Sequence, residues 1–449
     1  MKTLIVVPRY HSSGRYIMPL GILYVSAAAK SAGLEIETLN LNHFSEPICD
    51  VLKEYIVKKG ISCVATGGLS GEFTVLFSLL KTVKAIAPDV TTICGGGIIT
   101  ATPKIAMQAL EYADIGIIGE GDYTFPALLQ CLEKSRDFRQ IKGLVYFDGK
   151  QMQQTAPANE VLDLDSIPFP DYSGFQYDRY LKNNHNGFDF HGTPLSPVSI
   201  IGSRSCPYAC TFCFHPTGNK YRVRSLDSVF QELDYLLQNY NINCVAMREE
   251  LFSSEEERIY EFAKRIRKYQ ICWTIQLRVN LVNEDVIKIL ADADCFAVFL
   301  GIESVSDEVL KSMNKRITSN QIFQVLQWAE KHHLQIRSGL IFGDKAETKE
   351  SAQLSLGWLR KHRNYNPVLR RPAIIADMLV PFPGSPIYQY AVAKEIISDE
   401  ISYLRMGCPL VNLTSLSNEE YKMILRQVQS LSGSTYRFWN GEKIEVLKP

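Results

Sequence analysis

A chain of 449 residues, 46% of them hydrophobic, can bury a sizeable core, and at roughly 150 residues per domain it has room for two or three domains. Lys plus Arg (48) balances Asp plus Glu (48), so the global charge carries no basic nucleic-acid footprint. No apolar run reaches the ~18–20 residues of a membrane span, and the apolar start at Met1 to Pro8 is too short for a signal peptide and has no small-residue cleavage site, so it reads as the first buried strand of a cytoplasmic protein.

Residues 1 to about 135 alternate between strand and helix signals. Thr3–Val7 predicts a strand, Leu20–Ala32 a helix with small residues on one face, Glu35–Leu41 a strand and Val51–Lys58 a helix. Cys63–Gly67 predicts a strand and Glu72–Ala87 an amphipathic helix. Thr91–Cys94 runs into Gly95-Gly96-Gly97; Ile115–Ile118 runs into Gly119-Glu120-Gly121-Asp122, with a helix from about Phe125. Repeated βα units predict a parallel sheet covered on both faces, and ligands of such sheets sit at the C-terminal strand ends, where these glycines lie.

The stretch 136–195 is less regular and reads as a linker region. Ile141–Phe147 suits a strand, 162–171 is rich in turn residues, and 183–192 is polar with Gly and His. From Val198 a second βα series begins. Its strands are Val198–Gly202, Cys244–Met247, Trp273–Arg278, Ala297–Ile302, Gln335–Phe342 and Ile374–Val380. The helices between them are Leu226–Asn239, Glu255–Tyr269, Asn283–Ala291, Ser319–Lys331 and Lys349–His362. This predicts a partial or full barrel over 196–384 with its chemistry at the strand C-terminal ends. Residues 385–449 are mixed and predict a small cap. The fold class is therefore α/β.

Of 11 cysteines, eight are scattered singly in apolar settings and read as small core residues of a reducing compartment. The other three cluster in Ser205-Cys206-Pro207-Tyr208-Ala209-Cys210-Thr211-Phe212-Cys213, directly after a predicted strand. Four thiolates saturate a 4Fe–4S cube, so three on one tight loop leave one iron open to another ligand. S-adenosylmethionine (SAM) can chelate that iron through its amino and carboxylate groups, and an electron from the cluster then breaks a C–S bond. Three structural cysteines, or a zinc site completed by His215, are the competing readings; zinc wants four ligands, and no second CxxC pair is present. A ferredoxin would need a fourth suitably spaced cysteine.

With these residues the chain resembles the radical SAM superfamily, and more narrowly its cobalamin (B12)-binding-domain subfamily. Ser203 to Cys213 is similar to the family's cysteine loop, including Phe212, which in the family backs the adenine end of SAM. Arg222-Val223-Arg224-Ser225 is similar to the basic stretch that follows it, and Pro381 to Pro386 to a late turn. Gln276 to Asn280 and Gly301-Ile302-Glu303-Ser304 resemble strand ends that face SAM. The resemblance implies that Arg278 pairs with the SAM carboxylate and that Glu303 binds polar groups of SAM; a structural ion pair at the barrel rim is the plainer alternative for each. Two departures stand out. The usual acidic pair after the second barrel strand is Met247-Arg248-Glu249-Glu250, so Glu249 or Glu250 takes that role beside an unusual Arg248. Gly343-Asp344-Lys345-Ala346-Glu347-Thr348 replaces a Gly-Leu-Pro-Gly-Glu-Thr type of turn, which suggests a reshaped pocket rim.

Residues 1–135 resemble the companion Rossmann-like cobalamin-binding domain. Pro19 to Tyr24 is similar to its first helix. Gly68-Leu69-Ser70, Gly95-Gly96-Gly97 and Gly119 to Asp122 are similar to its cofactor-facing loops, which implies cobalamin contacts at Ser70, Gly95, Gly96, Gly97, Glu120 and Gly121. Tight βα turns are the alternative for each glycine motif taken alone. The Asp-x-His-x-x-Gly signature of cobalt-ligating histidines has Arg9 where the aspartate belongs, so His11 reads as a loop residue.

The resemblance implies a 4Fe–4S cluster, SAM and cobalamin as cofactors. It also implies an external electron donor such as flavodoxin or ferredoxin, and methyl transfer to an unactivated carbon through a 5′-deoxyadenosyl radical. A radical dehydration, cyclisation or ring rearrangement is the second reading. An iron–sulfur redox or binding protein that never cleaves SAM is the third. No basic run argues for RNA, so the expected substrate is a small metabolite. No side chain is assigned to the chemical steps themselves.

Overall fold

The computed structural model describes residues 1–10, 16–134, 137–183, 189–190, 193–363, 365–366, 371–372, 374–439 and 444–447. His11 lies outside them, as does most of the predicted loop 183–192. The first layer is built around β1 (Thr3–Val7), which is buried along its whole length. Alternation along the strand splits its side chains: Ile5 and Val7 join the core on one face, Leu4 and Val6 the core on the other. An unbroken apolar run is what a strand covered on both sides requires. β2 (Ile36–Asn40) and β3 (Cys63–Gly67) pair with it in parallel, and β4 (Thr91–Gly95) and β5 (Ile115–Ile117) continue the parallel sheet beyond β3.

The helices of this layer are α1 (Leu20–Ser31), α2 (Ile48–Lys59), α3 (Phe73–Ile86), α4 (Gly97–Ala101), α5 (Pro103–Leu110) and α6 (Gly121–Glu133). α1 and α6 cover one face; α2 and α3 supply the other. α6 starts at Gly121 rather than near Phe125: Gly121 and Pro126 disguise its first turns in the sequence. The short α4 and α5, split around Thr102-Pro103, were not anticipated.

The stretch expected as a linker does more than connect. β6 (Leu144–Asp148) and β7 (Gln151–Gln154) add antiparallel to β5, so the sheet order is β2-β1-β3-β4-β5-β6-β7 and the sheet is not wholly parallel. α7 (Tyr177–Asn183) follows, and Tyr172 and Tyr177 are buried edge to face. Turn residues such as Pro168 and Pro170 dominate the sequence signal there and mask the apolar anchors between them. The short ribbon β8 (Asp189–Phe190) and β9 (Thr193–Pro194) leads into the second layer.

The second sheet is parallel throughout. It takes β10 (Pro197–Ile200), and after the ribbon of β11 (Ser203–Arg204) and β12 (Arg222–Val223), β13 (Cys244–Met247), β14 (Cys272–Arg278), β15 (Cys295–Glu303) and β16 (Ile336–Phe342). The ribbon of β17 (Tyr365–Asn366) and β18 (Arg371–Pro372) precedes the last strand, β19 (Ile374–Met378). The order β10-β13-β14-β15-β16-β19 is an open, partial barrel. α8 (Leu226–Asn239), α9 (Glu256–Ile266), α10 (Glu284–Asp292), α11 (Asp307–Ser312), α12 (Ser319–Lys331) and α13 (Lys349–His362) connect the strands. Thr318 with Gln321 and Thr348 with Ser351 close capping boxes that set where α12 and α13 begin.

The cap comprises α14 (Pro386–Ala393), α15 (Glu400–Arg405), α16 (Asn418–Ser432) and the hairpin β20 (Tyr436–Trp439) with β21 (Ile444–Leu447). It touches both layers: α16 packs on β19, and α15 packs on α5 with Arg405 paired to Glu111. Among the described residues no helix is long and apolar enough to cross a membrane.

Candidate functional site

The cysteine loop is clasped at its base and pinned along its length. β11 and β12 pair antiparallel beneath it, and Ser205 turns with φ +67° while donating its hydroxyl to the Gly218 carbonyl at 2.7 Å. Thr211 N–H donates to the Met313 carbonyl (3.0 Å), Asn314 Nδ2 to the Ala209 carbonyl (2.6 Å), and Ile387 N–H to the Thr211 carbonyl (2.8 Å). Phe214, just after Cys213, fills the space above Gly384, where an added Cβ would meet the ring at 2.5 Å. The late Pro381 to Pro386 turn therefore braces the cysteine loop.

Arg278, at the end of β14, is committed to this loop. Its Nη1 donates to the Cys210 sulfur at 3.3 Å, its guanidinium stacks 3.7 Å over the Tyr208 ring, and its Nη2 donates to the Lys315 carbonyl. Glu303, at the end of β15, accepts from Lys315 Nζ at 2.8 Å, and the same ammonium lies 5.8 Å from the Phe212 ring centre. The hydrogen bond from Cys213, helped by Lys315 and Arg278, holds the Cys210 thiol below the ordinary thiol range, and burial raises Cys206. Three thiols on one braced loop, with a guanidinium and an ammonium beside them, suit a cluster ligated by thiolates whose negative charge needs compensation.

His215 does not complete a zinc set. Nδ1 contacts Glu250 and Nε2 faces the Tyr208 carbonyl at 3.2 Å. Glu249 is buried and its Oε2 accepts from Gly202 N–H at 3.1 Å, while Oε1 has no hydrogen-bond partner. Burial pushes its pKa up to about 7.

Both sheets end their strands on one cavity of about 510 Å³. The first layer contributes Gly67 to Leu69, Gly95 to Gly97, Gly119 to Asp122, Met18 and Ile22; the second contributes Ser203 to Ser205 and Arg248 to Glu250. The volume falls in the range of about 300–1,000 Å³ usual for ligand sites. Gly96 has φ +83°, and an added Cβ would lie 2.7 Å from the Gly68 carbonyl oxygen, so packing of the β3 and β4 ends on each other already demands glycine. Gly119 has φ +80° with open space where a Cβ would point. The result is a wall of bare backbone facing the cavity, which a bulky cofactor can approach closely.

Of the remaining expected contacts, Glu120 borders this cavity and Ser70, which is buried, does not. The Glu120 carboxylate is taken up by Arg204 (2.7 Å), Arg222 (2.7 Å) and the Val161 N–H (2.7 Å). Asp122 accepts two bonds from the same Arg204, at 2.7 and 3.0 Å. Arg224, of the same basic stretch, pairs with buried Glu232, which also accepts from Tyr172 Oη at 2.6 Å. These arginines join the two layers. The turn 343–348 is not part of this lining: Asp344 is buried against Ser312, and Gly343 donates to Glu347 at 2.6 Å beneath Tyr421. The turn's contacts thus run to α11 and α16.

Lys315, Arg204 and Asp122 were missed from the sequence. Lys315 lies in the short connection between α11 and the Thr318 capping box, next to Arg316, and local sequence does not set it apart. The pairings of Arg204 and Asp122 span more than eighty residues and left no local signal either.

Residues 200–359 match the Radical SAM superfamily and residues 9–129 the B12 binding domain. An uncharacterized methyltransferase of Pyrococcus horikoshii is 27% identical over 446 residues, covering 95% of this chain and 91% of the relative. The anaerobic magnesium-protoporphyrin IX monomethyl ester cyclase of Cereibacter sphaeroides is 24% identical over 87% of this chain and 63% of its own length. Among solved structures, the radical S-adenosylmethionine methyltransferase TsrM of Kitasatospora setae, with cobalamin and a 4Fe–4S cluster bound, has a TM-score of 0.69 at 18% identity, over 88% of this chain and 75% of that one. The cobalamin-dependent S-adenosylmethionine radical enzyme OxsB, with aqua-cobalamin and SAM bound, has a TM-score of 0.76 at 17% identity, over 94% and 65%. At these identities the two structures bear on the fold.

Proposed function

The chain belongs to the B12-binding-domain subfamily of the radical SAM superfamily, whose cofactors are a 4Fe–4S cluster, SAM and cobalamin, and on that premise we propose that it is a methyltransferase acting on an unactivated carbon of a small molecule through a 5′-deoxyadenosyl radical. The observation that carries this reading is the single cavity bounded by the strand ends of one layer and the cysteine-loop side of the other. The methyltransferase relative that spans nearly the whole chain supports it.

In this reading Cys206, Cys210 and Cys213 hold the cluster. Phe212, Glu249, Arg278 and Glu303 surround SAM. The unpartnered Glu249 oxygen suits an ammonium or hydroxyl donor there, since buried polar atoms are rarely left without a partner. Gly95, Gly96, Gly97 and Gly121 present backbone to cobalamin, together with Gly67, Gly68 and Gly119. Ser70 and the Glu120 carboxylate support those loops from behind. Bound cofactors supply the one-electron cleavage of SAM and the carriage of a methyl group, while the protein orients them and excludes water. The electron comes from an external donor such as flavodoxin or ferredoxin.

The ester cyclase relative, alike over 87% of this chain, favours a second reading in which the substrate radical closes a ring. Anaerobic reconstitution with SAM, reductant and cobalamin separates the two. Retained cobalamin with both 5′-deoxyadenosine and S-adenosylhomocysteine formed supports methylation, as does a product heavier by one CH2. Deoxyadenosine without S-adenosylhomocysteine overturns methylation in favour of ring closure. Neither nucleoside formed overturns both.

A further inference from the structure

Glu249 and Arg258 each keep a buried polar atom without a hydrogen-bond partner: Oε1 of the carboxylate and Nε of the guanidinium. Buried polar atoms are rarely left so. The two side chains come from different elements, Glu249 from just past the end of β13 and Arg258 from the first turn of α9. Gly202, between β10 and β11, stands between them. Its N–H donates to Glu249 Oε2 at 3.1 Å, and its carbonyl accepts from Arg258 Nη2 at 3.3 Å. A Cβ on Gly202 would lie 3.7 Å from Glu249 Oε1 and 3.6 Å from Arg258 Nη2. The glycine thus lets carboxylate and guanidinium converge on one small space, beside the end of the Met247 side chain (3.1 Å).

Of this pair only Glu249 borders the large cavity; Arg258 stands behind it, its guanidinium 5.3 Å from the Phe252 ring centre. The other charged and titratable groups nearby are committed elsewhere. Arg224 pairs with Glu232, Glu250 with His215, and Arg204 with Glu120 and Asp122. Arg248 is directed at the Phe299 ring, and Tyr221 donates its hydroxyl to the Leu251 and Phe252 carbonyls at 3.2 and 3.0 Å. Asp165, which faces Arg258 from the other side, accepts from the Ser225 N–H. Burial drives Glu249 toward its protonated form; the Gly202 N–H, then the charges of Arg258 and Arg224, act against it.

We infer that Arg258 is a positioning residue that acts through Glu249: its charge, set behind the cavity wall, keeps the carboxylate ionised and directed at a ligand in the cavity. The inference rests on the reading in which Glu249 meets SAM, a sulfonium cation with ribose hydroxyls to donate. An ionised carboxylate accepts such hydrogen bonds about twice as strongly as a neutral group does.

The test uses the full chain carrying its cluster. Infrared difference spectra, taken against the same protein with Glu249→Gln, follow the Glu249 carboxyl from about pH 5 to about pH 9. Arg258→Gln keeps a donor for the Gly202 carbonyl and removes the charge, Arg258→Met removes both, and Arg258→Lys keeps the charge. The wild-type midpoint, near pH 7, is expected to rise by about one pH unit in the Gln and Met variants and to return toward wild type in Arg258→Lys. Cluster absorbance shows which variants are folded, and either neutral variant carries the test alone. SAM affinity at about pH 7, measured by calorimetry relative to Glu249→Gln at the same pH, should weaken about fivefold in the neutral variants and recover at about pH 9. An unmoved midpoint in the neutral variants overturns the inference. So does an equal rise in Arg258→Lys, which would make Arg258 a packing residue. A midpoint that moves while SAM affinity does not follow supports the inference and sinks the placement of Glu249 at SAM.

Discussion

Cys210 is the most tightly held of the three clustered thiols, taking a hydrogen bond from Arg278 at 3.3 Å and contacting Cys213. Substituting any of Cys206, Cys210 or Cys213 by Ala should abolish iron incorporation on reconstitution. Cys244→Ala, which removes one of a buried sulfur pair 3.1 Å apart at the start of the sheet, should keep it. Iron analysis and visible absorbance read the difference; cluster formed at wild-type level in Cys210→Ala would refute the ligand assignment. Lys315 invites a different experiment. It and Glu303 are both largely buried, so Lys315→Met strands a carboxylate and should cost about 3–5 kcal/mol. The double variant Lys315→Met with Glu303→Leu should recover much of that loss, because an apolar pair replaces a buried ionic one. Denaturant melts of the two variants decide it; equal losses would show that the pair is not coupled. The cysteines were legible because ligand spacing is local chemistry. Lys315 was not, because only the folded chain shows its Nζ beside Glu303, Phe212 and the thiols.

The turn between β16 and α13 shows the same division one scale up. The sequence placed both elements closely, since an apolar strand and the Thr348 capping box announce themselves. What the altered Gly343 to Thr348 turn does was not legible, for its partners come from α11 and α16. Glu347 is buried there, and burial pushes its pKa up to about 7. A folded-state carboxyl raised above its unfolded value holds its proton longer than the unfolded chain does. Stability therefore falls as pH rises through the window from about 4.5 to about 7, and the penalty is complete above it. Glu347→Gln keeps an oxygen for the Gly343 N–H and cannot ionise. The gap in melting temperature between variant and wild type should widen in the variant's favour from pH 5 to pH 7.5; a constant gap would show that Glu347 titrates normally. In the stretch 136–195 the strand expected at Ile141–Phe147 is present as β6, whereas β7 was not anticipated. β7 is a short, polar edge strand, Gln151-Met152-Gln153-Gln154, that among the described residues pairs only with its hairpin neighbour β6 and carries little apolar signal of its own.

At the scale of the whole molecule the question is whether two layers behave as one body. Layers joined by a linker would by default move and melt separately. Here three features oppose that. Arg204 and Arg222 of the second layer enclose Glu120 and Asp122 of the first, all four side chains at most 11% exposed. Arg224 pairs with Glu232 and reaches Tyr24 of α1. The cap completes the joint, since Tyr403 and Trp439 share a core with Phe73 and Leu76 of α3. The wild-type protein without cofactors should therefore unfold in one calorimetric transition. Glu120→Gln with Asp122→Asn leaves Arg204 and Arg222 buried without an anion, at a cost of about 3–5 kcal/mol. Those carboxylates bond mainly across the joint, so the loss falls on docking and not on either core. The variant should show two transitions, retain iron, and lose cobalamin, the cofactor proposed for the cavity walled by both layers. A single transition shifted downward with cobalamin retained would place the four residues in an ordinary core. It would also leave the cap as what holds the two layers together.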